Sequence, residues 1–336
     1  MRIVLISPYS RGPQRGNITT VDRISRFLVQ RGIELLVLPA DALSLAEMEA
    51  HLASFAPQLI HGFHARFCGG VAQHLAAKKN LPFVITITGS DLHEAQLRTH
   101  SVTVRAIGEA RAVVCFDDCE AAELTHYFPQ SADRVVVISQ GAELLPVSAA
   151  GRMGLAEDDF VLLLPAALRA VKRIEFPLKA LAPLVDRIPA IRLVIAGGII
   201  DQDYAATIRS MLCNAPHAMW LGEVPLERMG ALYARADVVL NCSRFESMPN
   251  TLLEAMALGR PVLAANIPGN RSLIRHGDTG LLYRDSDSFS RNVIRLAEDA
   301  ELRTLLGCRA EEFIRSSFSP EIEAAKYIRL YHSLIV

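Results

Sequence analysis

Short apolar runs alternate with longer amphipathic stretches along the whole chain. Continuous apolar runs bounded by turn residues are typical of strands buried on both faces, and helical periodicity fills the intervals. The predicted strands are 2–7, 33–38, 58–62, 83–88, 112–116 and 134–138 in the first half, and 160–164, 192–196, 219–221, 238–240 and 261–264 in the second. This rhythm predicts an α/β fold with doubly wound, Rossmann-like parallel sheets, whose ligands lie at the carboxyl ends of the strands.

The rhythm is interrupted once, at the small and glycine-containing segment PVSAAGRMG over 146–154. We interpret this segment as a linker between two domains of similar size, a division that a chain of 336 residues can accommodate. Ser319 and Pro320 then precede a last predicted helix over about 321–334.

Composition narrows the range of functions. Hydrophobic residues make up 51% and charged residues 21%, so a large core is available. A net charge of −1 lacks the basic excess of a nucleic-acid-binding protein. No apolar stretch approaches the length of a transmembrane segment, and the N-terminal run ends at Pro8, too early for a signal peptide. We therefore expect a cytoplasmic protein with reduced cysteines and no nucleic-acid partner.

Candidate chemistry concentrates at 243–263, where Glu246 and Glu254 flank a junction between a loop and a helix. We expect Asn250 or Thr251 to cap that helix. A helix N-terminus offers unpaired N–H groups that suit phosphate, and the two carboxylates could accept hydrogen bonds from hydroxyl groups. A nucleotide sugar would use all of these features. Spacing alone equally fits a structural strand–loop–helix unit with two surface glutamates.

The motif string decides between these interpretations. ESMPNTLLEAMALGRPV at 246–262, followed by Pro-Gly-Asn at 268–270 and HGDTGLLY at 276–283, resembles the retaining glycosyltransferases of family 4 (group 1), which have the GT-B fold. The resemblance implies two Rossmann-like domains facing a cleft. Residues 1–146, joined by the C-terminal helix 319–336, would form the acceptor domain, and 147–318 would bind a nucleotide-diphosphate sugar. It further implies transfer to an unidentified acceptor without a metal or cofactor.

In the second domain, ALRAVKR places Arg169 and Lys172 just after a strand. From the residues alone this could be a solvated basic turn. The resemblance to the family's Arg-x-x-Lys pair implies that both cations stabilise the leaving diphosphate, that Glu246 binds the transferred sugar and that Glu254 binds ribose hydroxyls. The remaining donor-binding candidates are backbone and side chains at Gly197, Val224, Ser247, Met248, Pro249, Asn250 and Thr251.

In the first domain the resemblance is weaker. Gly16 and Asn17 end the segment GPQRGN, which matches only part of the family's glycine-rich donor loop. His61 and His64 stand at a strand end and could act as a general base or hydrogen-bond donor, or be structural. The segment VITITGSDLH over 84–93 resembles a motif whose histidine lies beside the donor sugar.

At that histidine position this chain has Thr88, while Asp91 of the motif is retained. His64 could replace the missing ring sterically, which makes it a catalytic candidate. The shared architecture and nucleotide site keep a GT-B sugar-nucleotide epimerase open as an alternative. The replacement by Thr88 keeps open a nucleotide-sugar-binding protein without catalysis.

Overall fold

A computed structural model describes residues 1–10, 16–147 and 154–335. Two compact units make up the described chain: Met1–Gly141 with Phe318–Val336, and Ala142–Ser317. Residues 12–15 of the predicted glycine-containing loop and 148–153 of the predicted linker lie outside the described residues.

The first unit is built on a parallel sheet of six strands. In chain order the strands are Arg2–Ser7 (β1), Glu34–Pro39 (β2), Leu59–Phe63 (β3), Phe83–Thr86 (β4), Ala112–Cys115 (β5) and Val135–Val137 (β6). The first seven helices are Gly16–Gln30 (α1), Leu45–Phe55 (α2), Ala65–Lys79 (α3), Ser90–His93 (α4), Ala95–Arg98 (α5), Ser101–Glu109 (α6) and Asp118–Tyr127 (α7). The strand order is β2-β1-β3-β4-β5-β6, so the direction of winding reverses between β1 and β3.

The second unit has another six-stranded parallel sheet. Its strands are Phe160–Pro165 (β7), Ile191–Ala196 (β8), Ala218–Trp220 (β9), Val238–Asn241 (β10), Val262–Ala265 (β11) and Leu281–Tyr283 (β12). Its helices are Glu175–Leu181 (α8), Gln202–Leu212 (α9), Leu226–Arg235 (α10), Asn250–Ala257 (α11), Pro268–Arg271 (α12), Ser286–Glu298 (α13) and Ala300–Ser317 (α14). The order β9-β8-β7-β10-β11-β12 is that of a dinucleotide-binding sheet, with its switch point between β7 and β10.

The last helix, Pro320–Leu334 (α15), belongs to the first unit. Tyr327 and Tyr331 of α15 are fully buried against the face of the first sheet that α1 also covers. At the start of the helix, Arg23 of α1 donates to Glu323 at 2.9 Å, and both side chains are almost completely buried. The chain thus completes the first core with a segment that follows the whole second unit.

The predicted α/β fold with two doubly wound parallel sheets is confirmed. Two details differ from the sequence prediction. β12 was not predicted, because its three residues follow directly on a glycine turn, and α1 begins at Gly16 rather than near Thr20. Within the described ranges, no helix combines the length and apolar character that a bilayer crossing requires.

Candidate active site

The switch point of the second sheet collects the predicted donor-binding cations and one carboxylate. Arg169 and Lys172 follow β7, Lys172 at the end of a short 3-10 turn, and Glu246 follows the adjacent strand β10. A backbone bond from Arg244 to the Val171 carbonyl, at 2.9 Å, holds the two loops together. Because crossovers leave β7 and β10 in opposite directions, their ends form the crevice where ligands of such sheets bind.

Lys172 and Glu246 form an ion pair in this crevice. Lys172 Nζ lies 2.5 Å from Glu246 Oε1, and the two side chains are 18% and 13% exposed. Burial raises the pKa of Glu246, but the charge and hydrogen bond of Lys172, the Ser243 hydroxyl and the charge of Arg169 outweigh it, so the pKa falls below its usual value. Glu246 is therefore a fixed, ionised hydrogen-bond acceptor at neutral pH.

A network of amides and hydroxyls supports Glu246 from below. Ser243 Oγ donates to Glu246 Oε1 at 2.6 Å, and Asn241 Nδ2 donates to the same oxygen at 3.2 Å. Asn270 Nδ2, fully buried in α12, donates in turn to Asn241 Oδ1 at 3.2 Å and to the Ala265 carbonyl. Side chains from β10, from the loop after it and from α12 thus hold the carboxylate in place without a substrate.

Arg169 differs from Lys172 in its surroundings. Its Nε is buried yet has no hydrogen-bond partner within the described chain. Its charge nevertheless reaches Glu246 and helps to lower the pKa of that carboxyl. A buried guanidinium nitrogen without an acceptor is costly, and an anionic ligand would relieve that cost.

The helix after Glu246, α11, has no side-chain cap at its N-terminus. Pro249 occupies the N-cap position of α11, so Asn250 and Thr251 are its first two helical residues, and the predicted capping role for either of them is wrong. Glu254 stands one turn into the helix, where Tyr233 Oη donates to its Oε2 at 2.6 Å. The fully buried Tyr233 of α10 therefore orients the carboxylate.

Two glycines of this unit serve close contacts between backbone segments. A methyl group at Gly269 of α12 would lie 2.1 Å from the Glu246 carbonyl oxygen, and one at Gly197 would lie 2.1 Å from the Ala166 carbonyl oxygen. Gly197 also donates its N–H to Gly222 and accepts from the Trp220 indole. Position 197 requires glycine because its backbone packs directly against the backbone that follows β7.

The other donor-binding candidates surround these elements. Val224 is half-buried just before Pro225, the residue that precedes α10. Ser247 and Met248 are buried beside Glu246, where the Ser247 carbonyl also faces Gly269.

In the first unit, His64 lies at the end of β3 in an unusual backbone conformation, with φ of 82° and ψ of 108°. Its Nδ1 accepts from the backbone N–H groups of Arg66 and Phe67 at 3.2 and 3.3 Å. The ring proton therefore lies on Nε2, which is 3.0 Å from Ser90 Oγ. Burial lowers the pKa of His64 against the opposing charge of Asp91, so the ring is neutral at pH 7.

Asp91 connects the ends of β3 and β4. Its fully buried carboxylate accepts from the N–H of Ala65 at 2.7 Å and from the N–H of Thr88 at 3.0 Å. Thr88 Oγ1 is buried and has no hydrogen-bond partner in the part of the chain that the structure describes. Gly16 and Asn17 begin α1, Gly16 exposed and Asn17 half-buried.

His61 lies in the core, away from the carboxyl edge that His64 occupies. Its two ring nitrogens hydrogen-bond Tyr331 Oη and Thr86 Oγ1, each at 2.7 Å. Complete burial lowers the pKa of His61 to about 3. In this position the ring joins α15 to the sheet, the structural alternative that the sequence left open.

The sequence analysis missed Tyr233, Asn241 and Ser243 as supports of the two glutamates. Asn241 and Ser243 could have been found, since polar residues directly after a buried strand stand at the ligand edge of the sheet. Tyr233 gives no such signal, because it lies on the apolar face of a helix. Asn270 was recognised only as part of the Pro-Gly-Asn motif.

Two models of known protein families match the chain. Residues 151–313 match the model of glycosyl transferases group 1, and residues 2–144 match that of glycosyltransferase family 4. The chain belongs to the group 1, family 4 glycosyltransferases, and it is a glycosyltransferase enzyme, as the sequence predicted.

Two curated relatives illustrate the range of that family. The chain is 26% identical to glycosyltransferase 1 domain-containing protein 1 of Xenopus tropicalis, over 96% of this chain and 95% of that protein. It is 30% identical to N-acetyl-alpha-D-glucosaminyl L-malate synthase of Bacillus anthracis over 54% of this chain and 48% of the relative. The alignment thus spans about half the length of the second protein.

Solved structures show the same fold. Sucrose-phosphate synthase from Thermosynechococcus elongatus matches with a TM-score of 0.86 at 20% identity, over 99% of this chain and 98% of the other. HepE from Anabaena, in complex with UDP and glucose, matches with a TM-score of 0.80 at 18% identity, over 99% of this chain and 100% of the other. The predicted GT-B architecture is confirmed.

Proposed function

We propose that this glycosyltransferase takes a nucleotide-diphosphate sugar and transfers the sugar to an acceptor hydroxyl with retention of configuration. One observation carries the proposal: Arg169, Lys172 and Glu246 converge at the switch point of the second sheet. The same loop leads directly into the N-terminus of α11, whose first N–H groups suit phosphate. The second unit would hold the donor and the first unit the acceptor.

The chemistry follows from the positions of the charges. As the sugar–oxygen bond breaks, its electron pair remains on the diphosphate, where Arg169 and Lys172 stabilise the developing negative charge. Glu246, ionised and held by Lys172 and Ser243, accepts hydrogen bonds from the transferred sugar. Glu254 accepts from the ribose hydroxyls. The acceptor oxygen bonds to the same face of the sugar, and its proton passes to the leaving phosphate.

No metal or cofactor is part of this proposal, because the two cations supply the charge that a divalent ion would otherwise provide. His64 is not the base either. Its Nδ1 lone pair is occupied by two backbone N–H groups, and its Nε2 carries the proton toward Ser90. We assign it a steric role beside the donor sugar, in place of the histidine that Thr88 replaces.

The comparisons give no support to an epimerase or to a non-catalytic binding protein. Uridine nucleotides are the first donors to test, since HepE has been crystallised with UDP and with UDP-glucose.

The test is a thermal-shift panel of UDP, GDP, ADP, CMP and their sugar conjugates. A nucleotide at 100 times its dissociation constant should raise the melting temperature by about 5 °C or more. With the donor identified, NMR of the anomeric proton during transfer or slow hydrolysis should show a product with the donor's configuration. If no nucleotide shifts the melting temperature, the proposal of donor binding is contradicted. A product with inverted anomeric configuration would contradict only the retaining mechanism, not donor binding.

A further inference from the structure

The first sheet ends at a strand that has a neighbour on one side only. β2 is the outermost strand of its sheet, and its residues pair in register with β1 along their whole length. Glu34 and Ala40 donate their N–H groups toward β1, at 3.0 and 2.8 Å. Because successive residues of a strand direct these groups to opposite sides, the N–H and C=O groups of Leu35 and Val37 face away from the sheet. In the described chain, no other segment accepts from these two N–H groups.

The outer side of β2 lacks most of the features that protect the edges of sheets. Its sequence, ELLVLP, contains four consecutive apolar residues and no lysine, and its register with β1 runs without a bulge. Val37 is 40% exposed, and Leu35 and Leu36 are half-buried. A regular, apolar edge of this kind is a template for pairing with another strand.

The groups at the ends of β2 select one antiparallel register with a second copy of the strand. Pro39 has no N–H, and the N–H of Ile33 already donates to a carbonyl of α1 at 3.1 Å. The groups left to pair are therefore those of Leu35 and Val37. All of them are used when Leu35 of each copy lies opposite Val37 of the other, with a two-fold axis at Leu36. Each such pair exchanges both of its hydrogen bonds.

Charges beside the two ends of β2 are complementary in the same register. Arg31 lies just before the strand and Asp41 just after it, and both are exposed. Neither forms an ion pair with another described residue. Because the two copies of the strand run in opposite directions, each Arg31 approaches Asp41 of the other copy. Glu34 lies opposite Leu38 and therefore meets no like charge. The edge is thus self-complementary, as a symmetric contact requires.

We propose that two copies of this chain form a homodimer through antiparallel pairing of their β2 strands. The contact would join the two six-stranded sheets of the first units into one continuous sheet. It would cover Val37 and pair backbone groups that otherwise face water. The contact uses none of the residues assigned to donor binding or catalysis, so it stands independently of the proposed function.

Sedimentation velocity of the full-length protein, from about 1 μM to about 100 μM, tests the association. We expect a species with the mass of two chains toward the upper end of this range. Val37→Lys should raise the dissociation constant of the dimer about tenfold or more, because it places a charge from each copy in the paired edge. Val104→Lys is the matched control, since Val104 of α6 is 39% exposed, and it should leave the dissociation constant unchanged.

A charge exchange distinguishes a lost contact from a damaged fold. Arg31→Glu brings like charges together at both ends of the paired strands and should weaken the dimer about fivefold. The double variant Arg31→Glu with Asp41→Arg restores opposite charges at the net charge of the wild type. It should return the dissociation constant to within about twofold of the original. Thermal melts of each variant verify that it is folded.

Amide hydrogen exchange locates the contact in the dimer. The N–H groups of Leu35 and Val37 should exchange about tenfold more slowly, or slower still, at the concentrations where the dimer forms. A single-chain mass at every concentration would overturn the proposal. So would a dimer that Val37→Lys leaves intact, a double variant without recovery, or unchanged exchange at these two amides.

Discussion

Arg169 and Lys172 are cations of the same turn, but the free protein uses them differently. Lys172 neutralises Glu246, whereas the Nε of Arg169 has no partner in the described chain. A substitution at 172 therefore removes a structural ion pair together with any catalytic charge. A substitution at 169 removes mainly a cation whose Nε has no partner in the described chain and could bind an anion. Arg169 is the sharper probe of leaving-group stabilisation.

We predict that Arg169→Ala lowers kcat about 100-fold or more while the melting temperature changes by no more than about 2 °C. Lys172→Ala should lower kcat and also cost about 1–3 kcal/mol of stability, because it leaves Glu246 charged in a largely buried site. Steady-state kinetics and thermal melts of both variants check this. Arg291→Ala, on the exposed face of α13, is the control. Equal losses of stability in the two variants would contradict the distinction.

At the scale of elements, α12 positions the loop that carries Glu246. Its Gly269 lies so close to the Glu246 and Ser247 carbonyl oxygens that any side chain must displace them. We predict that Gly269→Ala costs about 1–3 kcal/mol and lowers kcat/KM for the donor at least tenfold. Gly108→Ala, in a helix where a methyl group meets nothing within 4 Å, should leave activity unchanged. A Gly269→Ala enzyme with normal donor kinetics would show that the loop position does not matter.

The docking of α15 on the first sheet should depend on pH through His61. Its folded pKa is about 3, below the ordinary value of 6.5, so the unfolded chain binds more protons between these values. Stability from this group is complete above pH 6.5 and falls with pH toward 3. The loss between pH 7 and pH 5 should be about 2 kcal/mol.

Denaturant unfolding of the wild type and of His61→Asn at both pH values measures this effect. The variant should be less stable at pH 7 but should lose about 2 kcal/mol less on acidification. His51→Asn, exposed on α2, is the matched control. Parallel pH dependences of wild type and His61→Asn would show that His61 does not carry the effect.

The sequence predicted the elements better than their junctions. Eleven strands follow from apolar runs because a doubly wound sheet buries both faces of each strand. Of the strands in the described ranges, only Leu281–Tyr283 was missed. His61 and His64 look equivalent in the sequence, three residues apart at one strand end. Only the position of α15, hundreds of residues away, makes the first a core residue, and no local pattern records such a contact. Gly197 likewise contacts a segment remote in sequence.

At the scale of the whole molecule, each unit has a separate core, so unfolding need not be two-state. The first unit depends on the buried pair Arg23–Glu323, where Glu323 Oε2 also accepts from the N–H of Gly141. The second unit contains the proposed nucleotide site.

We predict that Glu323→Gln lowers the free energy of unfolding of the first unit by about 3–5 kcal/mol, because Arg23 would remain buried without its counter-charge. The stabilisation that UDP confers on the second unit should be unchanged. Calorimetry with and without UDP measures both. Glu321→Gln serves as control, since Glu321 is exposed two residues earlier in the same helix. A lost UDP response in Glu323→Gln would show that the two units do not melt independently.

The position of α15 also sets an order of events during synthesis. The segment that closes the first core is translated only after all of Ala142–Ser317. At about 5–20 residues per second, that interval is about 10–35 s. Throughout it, the first unit lacks the helix that covers His61 and pairs with Arg23, and the second unit reaches its complete sequence only when the interval ends. The nascent chain therefore exposes an apolar sheet face for many seconds, a period in which a ribosome-associated chaperone would find its substrate.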